Sequence, residues 1–571
     1  MAKFLFGLIA GVLLAVLGLF LLIFALARSF RETPPAVAQN SVLDLQLSGD
    51  IPERPPVEIP FGPFATRPSP SVTGVWMLLR KAAVDSRIKA VVLEADSLSI
   101  GWGKLEEFRA GLARFRKSGK PLYAFLKTPG GREYYLATAA ERIYLGPTDW
   151  LNLKGMRVQL MYFKKTLDKI GVDVQVEHDG KYKDFGDMFT RTNMSPETRE
   201  VMTSIVDDLY GNLVNGIAQA RKKSPDDVRA LIDQGPFLSD AALRNGLVDK
   251  LAYRDQVFSD LQQKAGAGEL HKLPTSTYLK VPADSLGLGG SRHIAMLVAD
   301  GDITRGSVDD DGAASEEGIR ATAFNRLLRR IGGDSTIAGV IVRIDSPGGD
   351  AVASDEIWRE MNLLSKKKPV VISMSDTAAS GGYYMAMTGD PIIAYPGTLT
   401  GSIGVVFGKP NLHGLYDKLG ISEDTIARGR FAEIDSLYRD LTPPELAKLK
   451  EGIDANYHDF VAKVAQARRR PYDQIDSLAQ GRVWLGDQAK SRGLVDEMGG
   501  IDRALELVKQ KAKIPASENV TIVMYPARRS ILDLLFGRGE DTILQSRLRQ
   551  LVHDWPSSGL LRIMPYMVNA Q

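Results

Sequence analysis

Cysteine is absent from this chain of 571 residues. That excludes disulfides, thiolate metal sites and a cysteine nucleophile, and is compatible with an oxidising compartment. Histidine is scarce, with six residues. His271 and His293 lie in or beside a connector rich in Gly, Pro and Ser, His553 lies near the C-terminus, and His458 falls on the outer face of a predicted helix. His178 and His413 remain as bases for a Ser-His pair, and neither sits in a recognisable partner motif. No His-Glu-x-x-His occurs, which argues against a zinc peptidase, and no metal is expected. Excess charge is also missing: 72 Lys and Arg against 69 Asp and Glu leave a net +3. Nucleic-acid binding normally needs a strongly basic face, so no such partner is expected. Gly287-Leu288-Gly289-Gly290 lacks the strand–turn–helix setting of a phosphate loop, and Asp309-Asp310-Asp311 lacks the alternating ligands of a calcium loop. No cofactor is expected.

What is present is an ordinary globular composition, 44% apolar and 25% charged, at a length that suits two domains. It is preceded by an uncharged apolar run from Phe4 to Ala27. As a helix that run spans roughly 36 Å, enough for a hydrocarbon core of about 30 Å. It is longer than the apolar region of about 7–15 residues in a cleavable signal peptide, although Ala25-Leu26-Ala27 fits a cleavage triplet. The reading is an uncleaved membrane anchor over residues 1–30, with positive charge at both ends and no preferred orientation from charge alone. Residues 31–45 read as a linker, and the proline-rich stretch from Ile51 to Pro70 as an irregular entry to the first domain.

The chain then repeats itself. Asp85-Ser86-Arg87-Ile88 with Asp96-Ser97 returns as Asp334-Ser335-Thr336-Ile337 with Asp345-Ser346, an offset of 249 residues. At that offset Tyr134-Tyr135 matches Tyr383-Tyr384, and Gly180-Lys181-Tyr182-Lys183 matches Gly429-Arg430-Phe431-Ala432. Short apolar strands alternate with helical spacing, as in Ala90–Leu93 followed by Leu105, Phe108, Leu112 and Phe115. This predicts α/β crossover units on a largely parallel sheet, built twice. Ser195-Pro196-Glu197 opens a helix whose Val201, Ile205, Leu209, Leu213 and Ile217 share a face, and Thr442-Pro443-Pro444-Glu445 opens its copy. The repeats are placed at 46–290 and 291–527, the residues from Ala265 to Ser291 are read as the connector between them, and 528–571 forms a tail.

The repeats differ where chemistry is possible. Ser380, at a predicted strand-to-helix turn in Ala379-Ser380-Gly381-Gly382, corresponds to Gly131; Lys183 corresponds to Ala432. A serine there stands near a helix N-terminus, whose free N–H groups favour developing negative charge. Ser346-Pro347-Gly348-Gly349-Asp350 follows another strand and can present main-chain N–H donors to an oxyanion. Lysine is the alternative to histidine as base if burial keeps it neutral, and Phe185, Met188 and Phe189 stand near Lys183 to desolvate it. Asp184 and Asp187 oppose this if they point the same way. A Ser-Lys pair inside one repeat leaves both repeats dead, so a working pair forms only between an N-terminal and a C-terminal half, in one chain or between chains.

These motifs, together with Thr377-Ala378-Ala379-Ser380-Gly381-Gly382-Tyr383-Tyr384 and Leu399-Thr400-Gly401-Ser402-Ile403-Gly404-Val405, resemble the signal peptide peptidase A family in its long two-repeat bacterial form, called protease IV. The resemblance runs from the N-terminal run to about residue 525. It implies a tandem ClpP/crotonase-like α/β fold and a Ser-Lys endopeptidase, anchored in the bacterial inner membrane with its catalytic part outside the cytoplasm. It further implies Ser380 as nucleophile, Lys183 as general base, Ser402 as the hydroxyl orienting the lysine, and Gly349 and Gly381 as oxyanion donors. Cleaved signal peptides and other hydrophobic or unfolded peptides are the implied substrates, and homo-oligomers, tetramers in the long form, the implied assembly. Two other readings stand beside it: a crotonase-type acyl-CoA enzyme, which needs neither Ser380 nor Lys183, and a non-catalytic membrane scaffold that binds hydrophobic peptides.

Overall fold

The computed structural model describes residues 35–55, 70–265, 268–306 and 318–526, the strand Leu561–Ile563, and Gly11 and Gly18 as helical. The anchor expected over Phe4 to Ala27 otherwise falls outside the described residues. Among the described residues no helix is long and apolar enough to cross a membrane.

Two largely parallel sheets carry the body. The first runs Lys250–Leu251, Arg142–Leu145, Leu122–Leu126, Ile88–Leu98, Ser41–Gly49, His271–Pro274. The second runs Glu497–Met498, Ile392–Ala394, Val370–Ala379, Ile337–Ser346, His293–Asp300, Thr521–Tyr525, and branches at Val370–Ala379 into Leu399–Gly401 and an antiparallel Val483–Leu485. Strand for strand the order is the same, so the sequence repeat is a structural one. Val91 to Leu93 and Val340 to Val342 are buried at every residue, because crossover helices cover both faces of a parallel sheet.

The caps fall where the sequence places them. Ser195 Oγ accepts from the Thr198 amide at 3.0 Å to open helix Pro196–Arg221, and Thr442 and Glu445 close a capping box on helix Pro443–Arg468. Both helices end in the left-handed region, at Lys222 and Arg469. Tyr134 donates to the Leu247 carbonyl at 2.6 Å, and its copy Tyr383 to that of Leu494 at 2.8 Å.

Two stretches read as linker are partly ordered. Ser41 to Leu45 belongs to strand Ser41–Gly49, one of the inner strands of the first sheet, because its apolar residues sit between two parallel neighbours and bury Val42, Leu43 and Leu45. Within the glycine-rich connector, His271–Pro274 supplies the edge strand of that same sheet.

The repeats are joined by a third, mixed sheet in the order Ile319–Arg320, Ile303–Thr304, Gly348–Asp350, Leu561–Ile563, Val405–Asn411, Asp173–Asp179. Its last pair is antiparallel and crosses the repeats, Val405 opposite Asp179 and Asn411 opposite Asp173. A buried ion cluster joins them elsewhere. Arg343, fully buried on strand Ile337–Ser346, lies 3.0 Å from Glu53 and 3.2 Å from Glu107, both of the N-terminal repeat.

Candidate active site

Strand Val370–Ala379 delivers the chain to Ser380, which turns it with φ +54° and ψ −114° into helix Gly381–Met385. A non-glycine residue in that region costs about 1–3 kcal/mol and persists only when its surroundings fix it. Here the Ser380 amide donates to the Gly401 carbonyl at 2.8 Å, and the Ser380 carbonyl accepts from the Tyr384 amide at 2.8 Å. The turn sends Oγ toward the other repeat, where it meets Lys183 Nζ at 2.9 Å. The same Nζ lies 3.0 Å from Ser402 Oγ and 3.1 Å from the Ser402 carbonyl. Ser380, Lys183 and Ser402 all have zero exposure. Lys183 therefore stands within hydrogen-bond reach of both serines expected beside it, within one chain.

Lys183 sits just past strand Asp173–Asp179, in a turn closed by its own amide donating to the Gly180 carbonyl at 3.1 Å. That turn is clamped from the other repeat: the Tyr182 amide donates to the Gln480 carbonyl at 2.7 Å. Gly481, at φ +74°, packs its α-carbon on the Lys183 backbone, where a side chain would collide. Nothing in the local sequence of Gln480-Gly481 signals this role. Asp184, next to the lysine, feels its charge, as its position in the sequence allowed. Its carboxylate takes the Thr198 hydroxyl at the start of helix Pro196–Arg221, and burial pushes its pKa up to about 6.

Gly349 and Gly381 come together beside the serine. Gly349, at φ +153°, packs against Ile303, where a Cβ would strike backbone; a Cβ on Gly381 would stand 3.2 Å from the Gly349 nitrogen. Ser346 Oγ accepts from the Gly348 amide at 3.2 Å, and Asp350 caps helix Ala351–Ser365, accepting from Ala353 at 2.8 Å. Both ends of the glycine turn are thereby pinned. The histidines stand elsewhere: His178 bonds the Gly180 carbonyl at 3.1 Å, and His413 is an exposed partner of Asp417 at 3.3 Å.

A second cluster, not foreseen from the sequence, braces the site from the N-terminal repeat. Lys104 Nζ lies 2.8 Å from Asp345, the residue before Ser346, and 3.9 Å from Asp376, four residues before Ser380. Burial works against its charge, and Asp345 and Asp376 outweigh that to hold its pKa above the usual lysine range. Asp376 accepts from the Gly101 and Lys104 amides at 2.7 and 2.6 Å, capping helix Trp102–Arg116 across the repeat boundary. Asp345 accepts from the Thr377 amide at 2.9 Å. No group of three or more metal-ligating carboxylates and histidines occurs among the described residues.

Comparison with known proteins gives two matches to the model of Peptidase family S49, over residues 114–268 and 362–515. The first span contains Lys183, the second Ser380 and Ser402. The chloroplastic serine protease SPPA of Arabidopsis thaliana is 39% identical over 515 residues, 89% of this chain and 74% of its own length. Protease 4 of Salmonella typhi is 33% identical over 452 residues, 76% of this chain and 71% of its own. Protease 4 of Haemophilus influenzae is 31% identical over 456 residues, 77% of this chain and 73% of its own.

Proposed function

This chain belongs to peptidase family S49, and from that premise we propose that it is a membrane-anchored serine endopeptidase working through a Ser380–Lys183 dyad split between its two repeats. The observation that carries the dyad is the 2.9 Å approach of Nζ to Oγ between fully buried residues of different repeats. Each half lacks one of the pair, and the halves meet where the losses complement each other.

Neutral Lys183 takes the proton of Ser380 as Oγ attacks the substrate carbonyl carbon. A lysine serves as general base only in its neutral form, and a low-dielectric interior penalises an ammonium. Ser402 offers its hydroxyl and carbonyl oxygens to the amine N–H groups and so aims the lone pair at Ser380. The carbonyl oxygen, now negative, receives the Gly349 and Gly381 amides, each worth roughly 3–4 kcal/mol at working sites. The lysine ammonium then protonates the leaving amine nitrogen, and the C–N bond breaks to leave an acyl-serine. Water, deprotonated by the same amine, hydrolyses that ester and restores Ser380. Cleaved signal peptides and other hydrophobic or unfolded segments are the substrates, held as extended strands beside a membrane to which Phe4 to Ala27 anchors the enzyme. The paired parallel sheets support the ClpP/crotonase-like fold class for each repeat.

Assembly into homo-oligomers has its own support. The cross-repeat pair Val405–Asn411 and Asp173–Asp179 has repeat equivalents at 156–162 and 422–428. Among the described residues neither equivalent pairs with another strand. Met161 and Ile426 there are 68% and 86% exposed. Pairing 422–428 of one copy with 156–162 of the next repeats the internal junction, with Ala432 and Gly131 in place of base and nucleophile. Repetition of that junction supports the reading of rings with alternating active and silent junctions, tetramers among them.

The test is labelling of the full chain, in cells, with a fluorophosphonate that acylates activated serines. The expected adduct maps to Ser380 by mass spectrometry and is recovered with the membrane fraction. An adduct on another serine, or none, sinks the dyad; an adduct in the soluble fraction sinks the anchor.

A further inference from the structure

Strands Ile337–Ser346 and Val370–Ala379 stay in register as far as Ile344 opposite Met374, and resume with Ser346 opposite Ala378. Asp345 alone therefore faces Ser375, Asp376 and Thr377, a bulge just before Ser380. A bulge takes its residues out of the ladder and re-aims the strand. Side chains hold this one: Asp345 accepts from the Thr377 amide at 2.9 Å, and the Thr398 hydroxyl donates to the Ser375 carbonyl at 2.7 Å. From the N-terminal repeat, helix Trp102–Arg116 seats its first turn on the bulge. It opens on Gly101, which has no side chain to cap it, and takes the Asp376 carboxylate instead. A side chain on Gly101 would strike Asp376, and one on Gly103 the Ser375 carbonyl. Lys104 closes the seat against Asp345 and Asp376, all three side chains being largely buried. Burial, and then the charge of Asp345, push the Asp376 carboxyl upward, while Lys104 and the two amides pull it down. The repeats divide this bridge as they divide the dyad. At the 249-residue offset Ala353 stands for Lys104, Asp350 for Gly101, Asp96 for Asp345 and Lys127 for Asp376. The second helix carries its own cap in Asp350, and Asp96 and Lys127 are exposed. Of the two sets, the one with a lysine and two carboxylates is the one that brings Lys183 to Ser380.

We propose that Lys104 is a positioning residue for the reaction, holding the bulge before Ser380 and the loop 346–349 at the separation that lets Oγ and the Gly349 amide meet one carbonyl group. The proposal rests on the peptidase reading and adds to it a residue outside the dyad. Asp345 joins the two segments: its carboxylate takes the Thr377 amide on the nucleophile's strand, and its main chain leads directly into Ser346. Without the ammonium, Asp345 and Asp376 are two like charges in a poorly solvated seam, and they separate. That movement draws the glycine loop away from the nucleophile turn, and a misplacement of about 1 Å costs about 100-fold in rate. The loss falls on kcat rather than KM, because the oxyanion exists only on the way through the transition state.

The experiment uses the full chain with a quenched hydrophobic peptide, and counts active sites by fluorophosphonate titration run to completion, so that every rate is per folded enzyme. Lys104→Met is expected to lower kcat about 100-fold with KM within about threefold. The Ki of a peptide aldehyde, whose carbonyl carbon bonds Ser380 Oγ and whose oxygen takes the oxyanion's place, is expected to rise by the same factor. Lys104→Met/Asp345→Asn removes the repulsion and keeps an acceptor for the Thr377 amide, and is expected to recover about tenfold of both losses. Lys81→Met is the control for a buried lysine that only holds the fold. Lys81 donates to the Tyr278, Leu279 and Val281 carbonyls, and its loss is expected to lower Tm while leaving kcat per site unchanged. In Lys104→Met, kcat and Ki within about threefold of the unmodified enzyme overturn the proposal and leave the dyad standing. If Lys104→Met yields no folded enzyme, the double variant decides on the same threshold. An unmodified enzyme that neither cleaves the peptide nor titrates overturns the peptidase reading itself, and this proposal with it.

Discussion

Lys183→Met is expected to lower kcat/KM for a hydrophobic peptide by at least about 10,000-fold, and Ser380→Ala to do the same, with the double variant no worse than either. Groups that act as one unit are strongly non-additive, because once the base is gone the hydroxyl is an ordinary alcohol. Methionine preserves the length and much of the volume of the lysine stem, so the clamp formed by Gln480 and Gly481 keeps its packing. The variant thus loses only the amine that touches Ser380 and Ser402. The pH profile adds an independent check. Only the neutral amine accepts a proton, so the unmodified rate rises with pH along a limb of one proton and then levels. Residual activity in Lys183→Met is expected to lack that limb. Initial rates against pH for the three variants decide the matter. Substantial turnover by Lys183→Met would transfer the role of base to another residue, and additive losses would mean that the two side chains act separately.

Arg343→Met is expected to cost about 3–5 kcal/mol of stability, the usual consequence of removing one partner from a buried ion pair. The guanidinium donates to Glu53 through Nε and Nη2, to Ser373 and Ser375 at 3.0 and 2.9 Å, and faces Glu107 at 3.2 Å. Burial works against its charge, and Glu53 and then Glu107 outweigh that to raise its pKa above the ordinary arginine range. The variant leaves two carboxylates in the dry seam between repeats, each penalised for its charge. Adding Glu53→Gln and Glu107→Gln is expected to recover part of the loss, because neutral amides bear burial better than unpaired carboxylates. Denaturant melts followed by circular dichroism measure both. A single-variant loss under about 1 kcal/mol would show that the seam is hydrated or contributes little to holding the repeats together.

The proposed chemistry is more legible in the sequence than its support. Ser380 and Lys183 are visible because a tandem repeat provides its own comparison: a serine against Gly131 and a lysine against Ala432 stand out without any other protein. The duplicated sheet was equally open, since Val91 to Leu93 and Val340 to Val342 are continuous apolar runs at the same offset. What escaped was long-range and backbone-mediated. Gln480 and Gly481 hold the lysine turn through main-chain contacts that leave no side-chain signature. Lys104 reads as a surface charge until Asp345 and Asp376, more than two hundred residues away, are brought to it. Ser41 to Leu45 read as tether because three apolar positions next to proline-rich sequence resemble a linker. The parallel partners on both sides make them an inner strand.

The order of the two half-sites along the chain has a consequence for synthesis. Domains fold as they emerge, N-terminal first. Lys183 is made and folded into its repeat long before Ser380 exists, and the strand that fixes its turn, Val405–Asn411, comes later still. On the proposed dyad, a partly made chain carries a base with nothing to activate, and hydrolysis begins only when the second repeat has folded and docked. On that reading the split is a completion check: an unfinished or misdocked copy is silent and cannot digest its neighbours or itself.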